Sequence, residues 1–482
     1  MDDILIRKYV PGQVTVRGSF FYADRSNNPM PARFTKVYLY DQDPGGGDDL
    51  LDTTVTDANG FFQFSARINW DEDDPDPNPE NRRLDLYVVW ETDVNDIASA
   101  RRRVTNLGGW AYRWPSEVRA NVQDGAVDFL NYWLPPENNQ LPAMWIFQDL
   151  RRAWEYIRNS TGIDPGSVTA KWQSGSDCYP SWPFCSSFFY AGVGGPFIFI
   201  ADSSRLSVDT VVHEAGHHYM WNKTGWWLWW DIGCYNHQLF SQEDVHCAWS
   251  EGWADFLPMS VNGDSCYDWG RGPCGADGGQ FENLEMPTWG DGRPQGDTVE
   301  GRVAGALYDL FDGTNEGFDS ATFGFAPIAN IVFQAPHEDS FSAFWDSWKG
   351  SGQNKHHAVR AIWQNTIDYD TPPRFEPPLP DRTVLQGFGW ENAIDLWAYS
   401  ADEESNDWEL EWQIGYVSDW RCGVMIDAGD YVDIYPQAGW LGSCDVTIRV
   451  SDSLKTADDT FQVNVVPVQA RVFLPLVLKN SP

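Results

Sequence analysis

The stretch HEAGHHYM, residues 213–220, places three histidines and one glutamate in six positions of a chain with only eight histidines in 482 residues. The flanking sequence predicts a helix over 207–222. Ser207 can cap it, Asp209 suits its first turn, and Lys223 followed by Gly225 marks its end. Val208, Val211, Val212, Ala215, Tyr219 and Met220 recur at helical spacing as a core face. On such a helix His213 and His217 share one face, with Cβ atoms roughly 5–6 Å apart. Two imidazole nitrogens can then reach one ion at about 2.0–2.1 Å each. Glu214 lies beside them, where it can hold a water that a metal activates. His218 points round the helix and reads as a bystander. Chance supplies only about 0.02 HExxH matches in a chain of this composition. The plainer alternative is two histidines paired with carboxylates on a structural helix.

Two histidines do not complete a catalytic zinc site, which takes three protein ligands and one open position. The pattern HExxHxxGxxH is absent, so a third histidine of that kind is excluded. The next candidate is AWSEGWADFLP, 248–258. SQED (241–244) reads as a capping box, and Pro258 is expected to halt the helix. Ala248, Gly252 and Phe256 make a core stripe, with Glu251 and Asp255 four residues apart at its edge. A buried carboxylate without a partner is costly. Zinc for Glu251 and a histidine N–H for Asp255 would satisfy both, and Gly252 would let the two helices approach closely.

HEAGH (213–217) followed by EGWAD (251–255) resembles the gluzincin metallopeptidases, the thermolysin-like clan. The resemblance implies His213, His217 and Glu251 as zinc ligands and Glu214 as general base. It implies that Asp255 fixes a ligand imidazole, that of His213, and that the strand PFIFIAD (196–202) pairs with extended substrate. It covers these two helices and that strand. The downstream histidine motif with which thermolysin stabilises the oxyanion is missing. Tyr308, His337 and Arg302 are the candidates for that role, against plainer readings of Tyr308 as a core aromatic and His337 as a loop residue.

The rest of the chain predicts a multidomain protein, a central α+β zincin-like catalytic domain flanked by two all-β sandwich domains. Residues 1–136 carry short β-branched and aromatic runs separated by turns. Within them TDANGFFQF (56–64) resembles a hairpin of transthyretin-like modules, as found in carboxypeptidase-regulatory-like domains. Residues 137–371 mix helices, at 144–157, 207–222, 242–257, 298–311 and 355–369, with a strand at 194–204. TPPRFEPPLPD (371–381) reads as a proline-rich linker. Residues 372–468 resemble an immunoglobulin- or cadherin-like module, and 469–482 form a tail.

Eight cysteines occur without a CxxC: Cys178, Cys185, Cys234, Cys247, Cys266, Cys274, Cys422 and Cys444. Sequential disulfides are the simplest pairing, and they predict an extracellular, secreted protein whose signal peptide has been removed. The formal charge of −37 disfavours nucleic acid and anionic membranes as partners, and no apolar run is long enough for a membrane span. Two acidic loops, DEDDPDPNPEN (71–81) and DGTNEGFD (312–319), offer oxygen ligands for calcium, though a solvated loop and a turn are the plainer readings. NKTGWWLWWDIG (222–233) concentrates four of 27 tryptophans and is a candidate wall of the cleft.

Together these features predict a secreted zinc endopeptidase acting on peptide or protein, with Glu214 as general base. One rival keeps the site and directs it at glycoproteins or a cell surface, with the flanking modules touching glycan or cell envelope. Another is an adhesin or binding protein whose zinc is structural, closed by a further ligand such as His237 or His246.

Overall fold

Alternating burial defines the first strands. Gln13–Ala23 turns Val14, Val16 and Phe20 inward, and Lys36–Asp41 turns Val37 and Leu39 inward. The computed structural model describes residues 9–43, 45, 47–95, 100–180, 185–225, 234, 237–285, 288–334 and 339–468. Strands 13–23, 29–31, 61–63, 67–68 and 125–134 form one sheet, and 36–41, 49–55, 86–91 and 113–115 form a second. Trp90 lies between aromatic neighbours, 4.3 Å from Tyr132 and 4.7 Å from Phe20 between ring centroids. The turn at 57–61 is set by Asp57, whose Oδ1 accepts the N–H groups of Asn59 and Phe61. Gly60 there has φ +74°, and a Cβ on it would lie 2.5 Å from the Phe20 carbonyl oxygen.

Two strands before residue 136 belong to a different sheet. Asp93–Asn95 and Arg101–Thr105 join 168–171, 197–199 and 188–190 in a five-stranded mixed sheet. Arg101–Thr105 runs parallel to Val168–Lys171 and antiparallel to Asp93–Asn95. Three successive arginines hide this strand from a hydrophobicity reading. It is held partly by a cross-strand ion pair, Arg101 Nε to Asp93 Oδ1 at 2.7 Å.

Phe197–Phe199 lies inside this sheet, antiparallel to Phe188–Tyr190 and parallel to Val168–Lys171. It therefore has no free edge to offer substrate, contrary to expectation. The edge on that side is Phe188–Tyr190.

Seven α-helices are described: α1 (Leu141–Thr161), α2 (Val208–Thr224), α3 (Val245–Asn262), α4 (Glu300–Phe311), α5 (Phe325–Gln334), α6 (Phe341–Lys349) and α7 (Lys355–Gln364). Helix α1 ends at Gly162, which adopts the left-handed conformation at φ +76°. Helix α3 departs from the sequence reading at both ends. Its N-cap is Asp244, not Ser241, and Pro258 does not stop it; the helix continues to a left-handed Gly263. Burial of every residue from Cys247 to Val261 outweighs the hydrogen bond that proline cannot donate.

The described chain divides into two compact units. One takes the residues up to Thr314 with Ala321–Ser347 and Asn365–Ile367; the other takes Asn315–Ser320, Trp348–Gln364 and the residues from Asp368 on. The second unit has a four-stranded sheet (382–385, 456–466, 442–451, 411–417) and a three-stranded one (390–395, 431–434, 424–426). Val446, Ile448, Phe461, Val463, Val432 and Ile434 fill its core. The proline-rich stretch is part of this unit rather than a free linker: Arg374–Phe375 pairs with Ser400–Ala401, and Leu379 enters the core. Four disulfides join neighbours in sequence, 178–185, 234–247, 266–274 and 422–444. Among the described residues no helix is long and apolar enough to cross a membrane.

Candidate metal centre

Helix α2 starts where the Ser207 hydroxyl accepts the Thr210 N–H at 2.9 Å and donates to the Asp268 carbonyl at 2.6 Å. This doubly held cap fixes the helix that carries His213, Glu214 and His217, all buried. Close approach to α3 rests on Gly216: a Cβ there would meet Ala254 Cα and Leu257 Cδ2 at 3.3 Å. Gly252, expected to serve that contact, faces α4 instead, where a Cβ would lie 2.7 Å from Val303 Cβ and 2.9 Å from the Glu300 carbonyl. Small residues on two faces thus bring three helices together.

The convergence puts three polar atoms in a triangle. His213 Nε2 and His217 Nε2 are 3.2 Å apart, and Glu251 Oε2 lies 3.2 Å from the first and 3.0 Å from the second. His213 Nδ1 is 2.9 Å from Asp255 Oδ1. Donation from Nδ1 to this carboxylate leaves a lone pair on Nε2. Glu214 places a carboxylate oxygen within 4.8 Å of the ligand nitrogens of both histidines. His218 turns away, its ring 5.4 Å from Phe189, and burial pulls its pKa down to about 4.

This donor set fits zinc. Tetrahedral bonds of about 2.0–2.1 Å separate neighbouring ligand atoms by about 3.3 Å, close to the edges of this triangle. Two imidazole nitrogens and one carboxylate oxygen are ordinary zinc donors. A shared cation also resolves an electrostatic problem, because two Nε2 atoms at this distance cannot both donate to each other.

The electrostatics of the protein groups reflect the same crowding. Burial disfavours the His213 imidazolium, but Asp255 and Glu251 outweigh it and hold its pKa well above the usual histidine value. Burial also disfavours the Glu251 carboxylate, yet His217 and His237 hold it well below the usual range. Burial raises Glu214, with His213 and His217 acting against it.

Two further residues complete the surroundings. His237, named from the sequence only as an extra ligand, has Nδ1 2.7 Å from Glu300 Oε2 and Nε2 3.9 Å from Glu251 Oε1. Burial lowers its pKa, but Glu251 and Glu300 raise it to about 10. Burial raises Glu300 to about 7. Tyr267 is buried with its ring edge-on to His213 at 5.8 Å. Rarity of histidine was the one sequence signal for His237; Glu300 and Tyr267 had none. The disulfide Cys234–Cys247 anchors the segment before His237 to α3, one turn ahead of Glu251.

The candidates for oxyanion contact fare differently. Tyr308 lies two turns along α4 from Glu300 and packs on Phe311 at 5.6 Å, with Asp312, Glu285 and Asp264 as its charged neighbours. Arg302 is fully buried and donates to Asp291 Oδ1 at 2.7 Å and to the Pro294 carbonyl at 3.0 Å. Neither is brought to the triangle, because the apolar face of α4 and the Asp291 carboxylate claim them. His337 and the tryptophans of 226–233 lie outside the described residues. His246 is away from the cluster, its Nδ1 2.6 Å from the Asp339 carbonyl.

Of the two acidic loops, 71–81 brings Asp71 within 4.8 Å of Asp41 and Asp43 in a group that could hold a cation. Its own turns already use Asp71 Oδ1, which accepts from Asp73 and Asp74 N–H. In 312–319, Asp312 Oδ2 accepts Thr314 N–H at 3.2 Å, as in a turn.

Residues 152–366 match the family model described as the Mycolysin C-terminal domain. That span, just under half of the chain, contains α2, α3 and α4. No curated protein matches. Among solved structures, an endo-fucoidan hydrolase of glycoside hydrolase family 107 is 16% identical over 22% of this chain and 15% of its own, with a TM-score of 0.17. A 9R-lipoxygenase from Cyanothece is 14% identical over 33% of this chain and 25% of its own, at 0.17. A putative carbohydrate binding protein from Pseudomonas aeruginosa is 13% identical over 25% of this chain and 90% of its own, at 0.14. Overlaps this shallow bear on neither fold nor function.

Proposed function

We propose that this chain is a secreted zinc-dependent endopeptidase. The observation that carries the reading is the triangle of His213, His217 and Glu251, with Glu214 beside it and Asp255 behind it. The family match over 152–366 supports a peptidase-related role and a protein substrate. Four disulfides, with no free cysteine, support an oxidising compartment.

His213, His217 and Glu251 would hold the metal. Zinc, when bound, supplies a Lewis acid for water activation and carbonyl polarisation. Glu214 accepts a proton from the attacking water and later delivers it to the departing amine. Asp255 keeps the His213 ring oriented. His237, held at Nδ1 by Glu300, donates from Nε2 as an imidazolium to the developing oxyanion. Phe188–Tyr190, the exposed edge of the sheet, is the strand against which an extended peptide would lie.

A second reading has one observation in its favour. A neutral His237 ring would turn a lone pair from Nε2 toward the cluster and close the site as a fourth ligand, leaving a structural zinc in a binding protein. Glycan or cell-envelope contact has no such observation behind it and forms no part of the proposal.

One experiment separates the readings: zinc content and hydrolysis of a peptide library by the wild type, Glu214→Gln and His237→Gln. The expected result is full zinc in all three. Turnover should fall by about 10²–10⁴ in Glu214→Gln and by about 10²–10³ in His237→Gln. Zinc lost from His237→Gln, with no peptide cleaved by the wild type, would establish the closed site instead.

A further inference from the structure

The second unit gathers four carboxylates that the proposed chemistry does not use. Asp370 precedes its first strand, Asp402 and Glu404 follow Ser400–Ala401, and Asp452 lies in the turn between Gly442–Ser451 and Thr456–Val466. Three of them are held by one oxygen. Asp402 Oδ1 accepts the N–H groups of Glu404 and Ser405 at 2.8 and 2.6 Å. Asp452 Oδ1 accepts those of Leu454 and Lys455 at 2.7 and 2.6 Å. Glu404 Oε2 accepts the Thr371 hydroxyl at 2.6 Å and its N–H at 3.3 Å. The other oxygen of each is buried and accepts no hydrogen bond from the protein, and neither oxygen of Asp370 accepts one.

The side chain of Asp370 is 1% exposed. The cation beside it is Lys455, whose Nζ stands 3.8 Å from Asp370 Oδ2. That ammonium donates to Asp368 Oδ1 at 2.8 Å and to the Asp370 carbonyl at 2.5 Å. Burial, then Asp452, Asp402 and Glu404, push the Asp370 carboxyl up to about 8, with Lys455 acting against them.

Four acids facing one ammonium away from water carry a large uncompensated charge. Loops that fix one oxygen of a carboxylate and leave the other bare point that second oxygen at a ligand. A hard divalent cation matches the donors. Calcium takes 6–8 oxygens at 2.3–2.6 Å in adaptable geometry, whereas magnesium demands a tight octahedron and keeps its waters. We propose that Asp370, Asp402, Glu404 and Asp452 form a calcium site that ties together the entry strand, the 402–405 loop and the 452–455 turn of this unit. The proposal is independent of the peptidase reading.

The test uses the full chain, stripped with chelator and reloaded with zinc, then titrated with calcium or magnesium by calorimetry and followed by thermal unfolding. Calcium should bind with one equivalent at this site and raise an unfolding transition, with a much smaller response to magnesium. Asp370→Asn should unfold later than the wild type in chelator, because repulsion is relieved. It should also bind calcium about tenfold or more weakly. Asp452→Asn serves as the second variant. A His217→Ala chain should keep the calcium response even without zinc, which separates this site from the other. A wild type with no calcium response, or an Asp370→Asn/Asp452→Asn double variant that binds calcium as tightly as the wild type, would overturn the proposal.

Discussion

At the scale of single residues the centre depends on side chains that never reach the ion. Asp255 accepts from His213 Nδ1 at 2.9 Å, and this bond sets both the tautomer and the direction of the ring. Asp255→Asn should therefore weaken zinc binding by about 10–100-fold while leaving the fold intact. Competition against a chelator of known affinity measures this; an unchanged affinity would show that packing against Tyr267 orients the ring. The residues of this group that were legible in the sequence were those on helical spacing: His213 with His217, and Glu251 with Asp255. Helical geometry turns a spacing of four into proximity, so each pair announces itself. His237 and Glu300 are 63 residues apart and meet only through tertiary packing, so no local pattern marks them. Tyr308 shows the reverse error: an amphipathic helix makes a conspicuous aromatic, and its position two turns from Glu300 removes it from the chemistry.

At the scale of elements the decisive contacts are between helix backbones. Gly216 opens α2 to α3, and Gly252 opens α3 to α4. Their tolerances differ. A Cβ at Gly252 falls 2.7–2.9 Å from Val303 and the Glu300 carbonyl, so Gly252→Ala should cost about 1–3 kcal/mol. At Gly216 the nearest atoms are 3.3 Å away, and the gain in helix propensity, about 1 kcal/mol, offsets the squeeze, so Gly216→Ala should be near neutral. Urea unfolding of both variants checks the contrast; equal effects would mean that α4 yields freely. Sequence located α2 and the sandwich strands well, since periodicity reports on burial directly. It misjudged the ends of α3 because local stop and cap signals are worth about 1–3 kcal/mol, less than burying fifteen consecutive residues yields.

At the scale of the whole molecule the division of the chain does not follow its changes of composition. The strand Arg101–Thr105 comes from the β-rich first quarter, yet it occupies the sheet that also holds Phe197–Phe199, just before α2. A chain beginning at 137 would lose both 93–95 and 101–105 from that sheet and expose one side of Val168–Lys171. It should be insoluble or lack a cooperative unfolding transition, as judged by circular dichroism and size-exclusion chromatography; a soluble, zinc-binding product would show that the truncated sheet suffices. The proline-rich stretch misleads in the same direction, because Leu379 and Phe375 are apolar enough to enter a core despite their neighbours. The sheet crossing has a consequence for ancestry. A gene that acquired or discarded its leading segment by recombination at the apparent joint near residue 136 would carry a broken catalytic half, so these two parts must have been inherited as one piece.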